Sequence, residues 1–291
     1  MSPFTIPEPT YVESFDGTRL ALYETGTPSG PILFLINGLG GNLGAWRFII
    51  EYYSSSFRIL SYDYRGMYAS ESSPRKDYSI EAHTRDAMVV MDHFGVQDAV
   101  IMGWSMGVQV LLEVYRARPE AARALILANG AYGKPLDKAF PLLKPLAKVG
   151  MDILAACAPR LRPFARPFLN TTAPLKVAKA VGFVSKHLDE DVFLSLARDF
   201  ADLDFDAYRD CTNTLINHDA EDVLDTISVP TLIFGGGRDV YTPAEFSQIM
   251  ADRIENSRLV MIDDASHYAA VEYPGAIISH MERFFLEHFE E

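Results

Sequence analysis

The feature of this chain that most constrains its fold is a series of short, continuous apolar runs that alternate with segments of helical periodicity. Three of these runs stand at residues 31–38 (PILFLING), 58–64 (RILSYDY) and 99–104 (AVIMGW). Strands that are buried on both faces of a sheet read as unbroken apolar runs, and the helices between them cover those faces. The alternation therefore predicts an α/β fold with a mostly parallel sheet and helices on both sides.

The same rhythm continues along the chain and sets the order of the elements. A helix is predicted over residues 79–95, with Ser79 as its N-cap and Gly95 as its stop, and another helix follows residue 105. Residues 16–26 alternate between apolar and polar and predict an early antiparallel strand. Later strands are predicted at residues 124–129, 231–237 and 257–263, and later helices from residue 243 and at the C-terminal end.

Residues 131–226 do not follow this rhythm. They contain no clear buried strand, and they read instead as several short helices separated by prolines. A long segment of this kind between two core strands is typical of an insertion that carries function. We therefore predict a helical cap at residues 131–226, placed over the strand ends of an α/β core formed by residues 1–130 and 227–291.

Composition and charge narrow the classes of function. The chain has 26 Lys and Arg against 39 Asp and Glu, and a net charge of −13 repels phosphate backbones, so nucleic acid is not an expected partner. Cys157 and Cys211 have no Cys or His neighbours at ligand spacing, so we expect neither a metal site nor a disulfide framework. The sequence shows no signal-peptide pattern and no apolar stretch of about 18 residues, which predicts a cytoplasmic protein without a transmembrane segment.

One serine has a context that predicts a nucleophile. The pentapeptide Gly103-Trp104-Ser105-Met106-Gly107 lies between a predicted buried strand and a predicted helix. A Gly-x-Ser-x-Gly sequence at such a junction is typical of a tight turn that lifts the serine hydroxyl above the sheet. Because the first amides of a helix lack intrahelical partners, the backbone N–H of Met106 is a candidate donor to a developing oxyanion.

A serine hydroxyl needs a histidine base and an acid that orients the base. Of the seven histidines, His267 is the best placed, because it follows the last predicted strand at the same carboxyl edge of the sheet as Ser105. The acid should come from another strand end at that edge, and Asp239 follows the glycine run of one. Asp263 and Asp264 are too close in sequence to reach the imidazole from behind, and we interpret them as turn residues.

The glycine-rich loop at residues 37–46 (NGLGGNLGAW) follows the first buried strand. Its glycines permit close approach of the backbone, and the amide of Leu39 is the candidate second donor to the oxyanion. Glycine-rich loops can also hold phosphate, but this one contains neither Gly-x-Gly-x-x-Gly nor Gly-Lys-Ser/Thr. No nucleotide or other cofactor is therefore expected.

The motifs GWSMG, GGGRD and DASHY, with Ser105, Asp239 and His267 in that chain order, resemble those of the α/β-hydrolase fold superfamily. The resemblance covers nearly the whole chain. It implies a twisted, mostly parallel eight-stranded sheet flanked by helices, with a helical cap inserted after the sixth strand. It also implies a serine esterase or lipase-like activity that uses these three residues as a catalytic triad.

The chain departs from the superfamily pattern at two places. Asn37 stands where many members have the histidine of a His-Gly pair at the oxyanion loop. Tyr68 stands where a second glycine is usual in the motif Asp-x-Arg-Gly-x-Gly-x-Ser. Asp63 and Arg65 of that motif are interpreted as structural residues.

Ser105 argues against the dehalogenases and epoxide hydrolases that the resemblance would otherwise include, because those use Asp at this position. Hydrolysis of carboxylic esters with hydrophobic acyl or alcohol groups, through an acyl-enzyme, is the favoured function because it is the broadest class. A lactonase, a carbon–carbon bond hydrolase, a perhydrolase and a thioesterase stay open as alternatives. So does a weakly catalytic ligand receptor of the same fold.

The predicted cap is locally basic. Residues 131–170 carry seven Lys and Arg against two Asp. One interpretation is a surface that makes weak contact with lipid or with an anionic acyl substrate. The favoured interpretation is a solvated helical face, balanced by the acids of residues 171–230. Apolar side chains beneath a cap predict a hydrophobic small-molecule ester as substrate. Trp104 is expected to pack under the nucleophile rather than contact the substrate.

Overall fold

The computed structural model of the chain describes residues 4–139, 149–150, 152–153, 155–157, 160, 167, 171–180 and 183–289. The strands are β1 (Thr10–Glu13), β2 (Arg19–Gly26), β3 (Ile32–Ile36), β4 (Arg58–Tyr62), β5 (Ala99–Trp104), β6 (Ala122–Ala128), β7 (Thr231–Gly236) and β8 (Ser257–Ile262). The α-helices are α1 (Arg47–Tyr53), α2 (Ile80–Phe94), α3 (Met106–Ala117), α4 (Pro135–Ala139), α5 (Ala173–Ala180), α6 (Glu190–Phe200), α7 (Phe205–Leu215), α8 (Ala244–Arg253), α9 (Ala269–Glu272) and α10 (Pro274–Phe289). Short 3-10 helices lie at Leu43–Trp46, Pro119–Ala121 and Glu221–Thr226.

The strands form one eight-stranded sheet in the order β1-β2-β4-β3-β5-β6-β7-β8. The pairs β1–β2 and β2–β4 are antiparallel, and all other neighbours are parallel. The predicted α/β fold with a mostly parallel eight-stranded sheet is therefore confirmed. Strand β1 was not predicted, because it has four residues, none of them fully buried, and so carries no apolar pattern.

The continuous apolar runs result from burial on both faces of the sheet. In β3 and β5, Phe34 and Ile101 belong to the cluster that packs under α2 and α3. Their chain neighbours Leu33 and Val100 belong to the cluster on the opposite face, with α1 and α10. Each of these side chains is at most 2% exposed, and burying a side chain of this size contributes about 1.5–3 kcal/mol to folding.

The helix predicted over residues 79–95 is α2, and its ends follow the sequence signals. The Ser79 side chain accepts a hydrogen bond from the amide of Ala82, one of the N–H groups that lack a partner at a helix start. Gly95 ends the helix with φ of +67°, a left-handed conformation that glycine adopts at little cost. Local capping chemistry thus fixes both ends of this helix.

Between β6 and β7 the described residues form α4 to α7 and the last 3-10 helix. An antiparallel bridge between Gly133 and Asp219 holds the two ends of the insertion together. Buried hydrophobic side chains of α5 and α6 form a cluster that contacts the rest of the molecule through Ala45 and Val271. The insertion after the sixth strand is therefore helical where it is described, and the division into a core and a cap at residues 131–226 stays a prediction.

Of the seven Lys and Arg of residues 131–170, five lie outside what the structure describes, including the side chain of Lys138. Of those described, Lys134 pairs with Asp219 at 2.7 Å, and the guanidinium of Arg160 donates to the carbonyl of Ala156. Contact with a lipid surface stays a prediction. Among the helices that the structure describes, none is long and apolar enough to cross a bilayer.

Candidate active site

Ser105 occupies a strained turn between β5 and α3, with φ of +56°. Such a conformation is uncommon for a residue with a side chain. The turn is held by the Ser105 amide, which donates to the carbonyl of Ala128 at 3.1 Å. A Cβ at Gly103 would lie 2.5 Å from the carbonyl oxygen of Gly107, and one at Gly107 would lie 2.3 Å from that of Ile36. The two flanking glycines are therefore required for the backbone to close around the serine.

The structure brings the three predicted triad residues together at the carboxyl ends of β5, β7 and β8. Nε2 of His267 lies 2.8 Å from Oγ of Ser105, and Nδ1 lies 2.9 Å from Oδ2 of Asp239. His267 is 7% exposed and Asp239 is 6% exposed. Proton transfer from the serine to the ring needs a hydrogen bond of this length, and the second bond fixes the orientation of the imidazole.

Asp239 is held as an ionised acceptor by several donors besides the histidine. Its Oδ1 accepts from the amides of Tyr241 and Thr242, both at 2.9 Å, and its Oδ2 accepts from the Thr242 hydroxyl at 2.8 Å. Burial alone would raise the pKa of Asp239, but the charge of His267 and these hydrogen bonds lower the pKa below its usual value. A carboxylate that stays ionised can stabilise the imidazolium that forms when the ring takes a proton.

Two further polar residues support the triad, and the sequence pattern predicted neither of them. Asn129, at the end of β6 with φ of +44°, donates through Nδ2 to Oδ2 of Asp239 and to the carbonyl of Ser266, both at 3.2 Å. The buried Glu272 accepts from the amide and the hydroxyl of Ser266, at 2.8 and 2.6 Å. It also accepts from the amide of Ser185 at 2.6 Å, which joins the insertion to the loop that carries His267.

Both residues carried a weak signal. Asn129 is a polar residue at the carboxyl end of an apolar strand, but it has no carboxylate and so does not fit the pattern of a triad acid. Glu272 is an acid in the first turn of a short helix. By contrast, Asp263 and Asp264 lie in the turn after β8 and are exposed, and Asp264 pairs with Arg238 at 2.6 Å, as expected of turn acids.

The loop after β3 holds its shape through side chains. The amide of the Asn37 side chain donates to the carbonyl of Tyr62 at 2.9 Å, and its oxygen accepts from the indole N–H of Trp46 at 2.7 Å. Leu39 of this loop and Met106, the first residue of α3, border the same cavity as Ser105. Donation by these two amides to an oxyanion stays a prediction.

Tyr68 explains the second departure from the superfamily motif. Its φ of +50° is the left-handed conformation for which glycine is the ordinary choice. Its hydroxyl donates to the carbonyl of Gly40 in the loop after β3. The tyrosine therefore adds a contact to that loop at the cost of backbone strain, which is about 1–2 kcal/mol for a residue with a side chain.

The two motif residues interpreted as structural lie in buried networks. Arg65 is fully buried and pairs with Asp86 through Nη2 at 2.6 Å and with Asp16 through Nη1 at 3.0 Å. Asp63 accepts from the hydroxyl of Tyr23 at 2.7 Å. Neither Arg65 nor Asp63 is among the described residues that line the cavity next to Ser105.

Trp104 was expected to pack under the nucleophile, and the structure corrects this. Its indole N–H donates to the carbonyl of His267 at 2.9 Å. Its ring lies so close to Gly38 that a Cβ there would be 2.8 Å from the ring carbon Cε3. Because glycines leave room beside the loop, the ring extends over it and also borders the cavity.

A cavity of about 450 Å³ lies next to the triad. The described residues that line it are Leu39, Trp104, Ser105, Met106, Gln109, Ala131, Pro135, Leu136, Gly150, Tyr208, Thr212, Leu215, Ile216, Tyr241, Thr242, His267 and Tyr268. No Asp, Glu, Lys or Arg is among these described lining residues. A larger cavity of about 730 Å³ lies beside the first residues of β3, β5 and β6, at the opposite edge from the triad. Ligands of parallel sheets bind at the carboxyl ends of the strands, which favours the smaller cavity as the binding site.

Comparison with known proteins identifies similar chains along almost the full length. A family model described as alpha/beta hydrolase fold matches residues 31–274. The 3-oxoadipate enol-lactonase 2 of Acinetobacter baylyi is 28% identical over 252 residues, which cover 86% of this chain and 87% of that protein. The structure of an enol-lactonase from Burkholderia xenovorans LB400 is 26% identical with a TM-score of 0.73, covering 95% of this chain and 99% of that one. An esterase from Exiguobacterium antarcticum shares the fold at 20% identity, with a TM-score of 0.76 and coverage of 95% and 98%.

Proposed function

The chain belongs to the alpha/beta hydrolase fold family, and from that premise we propose that it is a serine hydrolase that cleaves uncharged carboxylic esters through an acyl-enzyme. Its relatives are hydrolases, which supports a hydrolase of this fold. The observation that carries the finer proposal is the unbroken hydrogen-bonded series Asp239–His267–Ser105, with bonds of 2.9 and 2.8 Å beside a cavity of about 450 Å³.

The geometry supports a two-step acyl transfer. Nε2 of His267 takes the hydroxyl proton as Oγ of Ser105 attacks the ester carbonyl carbon, and the negative charge moves to the carbonyl oxygen. The amides of Leu39 and Met106 then donate to that oxygen. When the carbonyl reforms, the carbon–oxygen bond to the alcohol breaks, and the imidazolium gives its proton to the leaving alcohol.

Water completes the reaction by the same steps. In this second half, water is the attacking group and the serine oxygen is the leaving group. His267 takes a proton from water, the water oxygen attacks the acyl carbon, and the bond to Oγ of Ser105 breaks. The serine regains its proton and the carboxylic acid leaves. Asp239 remains ionised throughout and stabilises the charged imidazole in both steps.

The cavity lining favours an uncharged, mainly apolar substrate. Leu39, Met106, Leu136, Leu215 and Ile216 present apolar side chains, and the described lining has no lysine or arginine to pair with a second carboxylate. Beside these described residues an anionic group would lose its hydration without gaining a cationic partner, which costs several kcal/mol for a buried ion. This favours a neutral ester over an anionic one.

A neutral lactone is the second candidate, and the similarity to two enol-lactonases favours it. Opening a lactone uses the same steps, with the leaving alcohol still attached to the acyl group. The carbon–carbon hydrolase, the perhydrolase and the ligand receptor stay alternatives, and the experiment below separates the first and the last of these from an ester hydrolase.

The test compares the parent with Ser105→Ala on p-nitrophenyl esters of two to eight carbons, on uncharged lactones and on a vinylogous diketone. Loss of the nucleophile should lower kcat at least about 1,000-fold. Ser56→Ala changes an exposed serine far from the triad and serves as the matched control. If the parent hydrolyses esters no faster than Ser105→Ala does, the ester function is wrong, and turnover of the diketone alone would indicate the carbon–carbon hydrolase.

A further inference from the structure

Gln109 is a polar side chain at the inner surface of the catalytic cavity. It lies in α3, four residues after Ser105 and therefore about one helical turn, roughly 5.4 Å, further along the same face of the helix. The side chain is fully buried, and it borders the same cavity as Ser105 and His267. A substrate whose carbonyl lies at the serine would extend past this residue.

One end of the Gln109 amide is already bound. Its Nε2 donates to the carbonyl of Leu215 at 3.3 Å. Leu215 is the last residue of α7, and the final carbonyls of a helix lack intrahelical partners. Only the nitrogen can donate to that carbonyl, so this bond fixes which end of the amide is which.

The other end of the amide has no partner. Oε1 of Gln109 accepts no hydrogen bond from the part of the chain that the structure describes. Among the described buried side-chain atoms without a hydrogen-bond partner, Oε1 of Gln109 is the one that belongs to a residue lining the cavity. A buried acceptor without a donor is destabilising, since it has lost its water and gained nothing in return.

A donor on a bound substrate would satisfy this oxygen. On the basis of the hydrolase function proposed above, we propose that Gln109 determines substrate specificity by accepting a hydrogen bond from an uncharged hydroxyl or amide N–H on the substrate. The donor stands about three to six atoms from the scissile carbonyl, because one helical turn separates Gln109 from the nucleophile.

The uncharged nature of the donor follows from the surroundings. The described cavity lining has no Asp or Glu to pair with an ammonium group, and a single amide oxygen compensates poorly for the desolvation of a cation. A carboxylate would bring an acceptor against an acceptor. Hydroxyl and secondary amide groups need one partner each, and the remaining apolar lining accommodates the carbon chain.

The test uses pairs of esters that differ in one donor-bearing group, and where that group lies on the acyl side they are p-nitrophenyl esters. The 3-hydroxyhexanoate and 6-hydroxyhexanoate are compared with hexanoate, the N-acetyl-β-alanine ester with 5-oxohexanoate, and the N-acetyl-γ-aminobutyrate ester with 6-oxoheptanoate. Hydroxyalkyl butyrates against alkyl butyrates of equal length place the donor on the alcohol side. For at least one pair, the parent should prefer the donor-bearing member by about tenfold in kcat/KM.

The variant Gln109→Met keeps the volume and removes the acceptor, so it should abolish that preference and bring the kcat/KM values of the two members of the pair within about threefold of each other. Gln109→Glu retains the preference, because a carboxyl in this apolar position is protonated and can donate to Leu215 and still accept. Gln248→Met, the same substitution at an exposed glutamine of α8 outside the cavity lining, is the control and leaves the preference unchanged. The role of Gln109 is overturned if the parent shows no donor preference for any pair. It is also overturned if the preference of the parent persists in Gln109→Met.

A second readout separates this result from failure of the hydrolase function. Methyl esters of the same acids are titrated calorimetrically into Ser105→Ala and into the double variant with Gln109→Met. If the parent hydrolyses none of the esters but Ser105→Ala binds the donor-bearing members about tenfold more tightly, the role of Gln109 stands while the hydrolase function fails. Equal affinity within every pair overturns it independently of turnover.

Discussion

Replacing the buried Asp63 with asparagine should remove a loss of stability that the fold undergoes as the pH rises. Asp63 is 1% exposed, and its Oδ2 accepts from the Tyr23 hydroxyl at 2.7 Å and from the Ala69 amide at 3.1 Å. Its Oδ1 has no partner among the described residues. Burial raises the pKa of Asp63 to about 6, against the partial opposition of those two hydrogen bonds.

The sign of the pH dependence follows from this raised pKa. Because the folded protein holds the Asp63 proton more tightly than the unfolded chain does, the contribution of this group to stability is present below the unfolded pKa of about 3.9. It is lost as the pH rises through about 6. From these two pKa values, the contribution of Asp63 to the free energy of unfolding decreases by about 1.4 kcal/mol between pH 5 and pH 8.

Asp63→Asn keeps one acceptor oxygen for both donors and has no charge to titrate. The free energy of unfolding of the variant, minus that of the parent, should therefore increase by about 1.4 kcal/mol from pH 5 to pH 8. Urea unfolding of both proteins at each pH measures this, and all other titrating groups cancel in the difference. Asp263→Asn, at an exposed aspartate, is the control. A difference that is constant between the two pH values, or that decreases, would refute the account of Asp63.

Three other substitutions test the supports of the site. Gly107→Ala places a Cβ 2.3 Å from a backbone carbonyl, so it should abolish most activity and lower Tm by several degrees, as measured by p-nitrophenyl ester hydrolysis and thermal unfolding. Arg65→Met leaves two buried carboxylates unpaired and should cost about 3–5 kcal/mol of unfolding free energy, and a loss below about 1 kcal/mol in urea unfolding would contradict its structural role. Asn129→Gly keeps the left-handed backbone but removes the donor to Asp239, so kcat should fall about tenfold with KM unchanged. Unchanged kcat would show that this hydrogen bond does not position the acid.

The elements that could be predicted from the sequence are those whose signal is local. Because β3 and β5 are buried on both faces, their sequences are continuously apolar. The capping residues Ser79 and Gly95 identify the two ends of α2. Strand β1 has four residues at the sheet edge and none of them is fully buried, so its sequence carries no continuous apolar pattern. The triad was predictable because each member follows a strand, and parallel strands bring their carboxyl ends to one edge.

The contacts that could not be predicted join residues that are far apart in the chain. Asn129 reaches Asp239 across 110 positions, and no local pattern specifies that pairing. Gln109 did carry a signal, as a polar residue within the apolar stretch of α3, but its meaning depends on the cavity and on Leu215. Tyr68 was seen as a departure from a motif, and only the structure shows the contact with Gly40 that its hydroxyl makes.

The most direct test of the central claim is to locate the residue that reacts with a serine-directed reagent. The parent, His267→Ala and Ser105→Ala are treated with diisopropyl fluorophosphate, and the adduct is located by peptide mass mapping. The account predicts one adduct per chain, on Ser105, formed in step with loss of ester hydrolysis, and strongly slowed in His267→Ala because the base is missing. An adduct on another residue, or full activity in a protein whose Ser105 is modified, would contradict it.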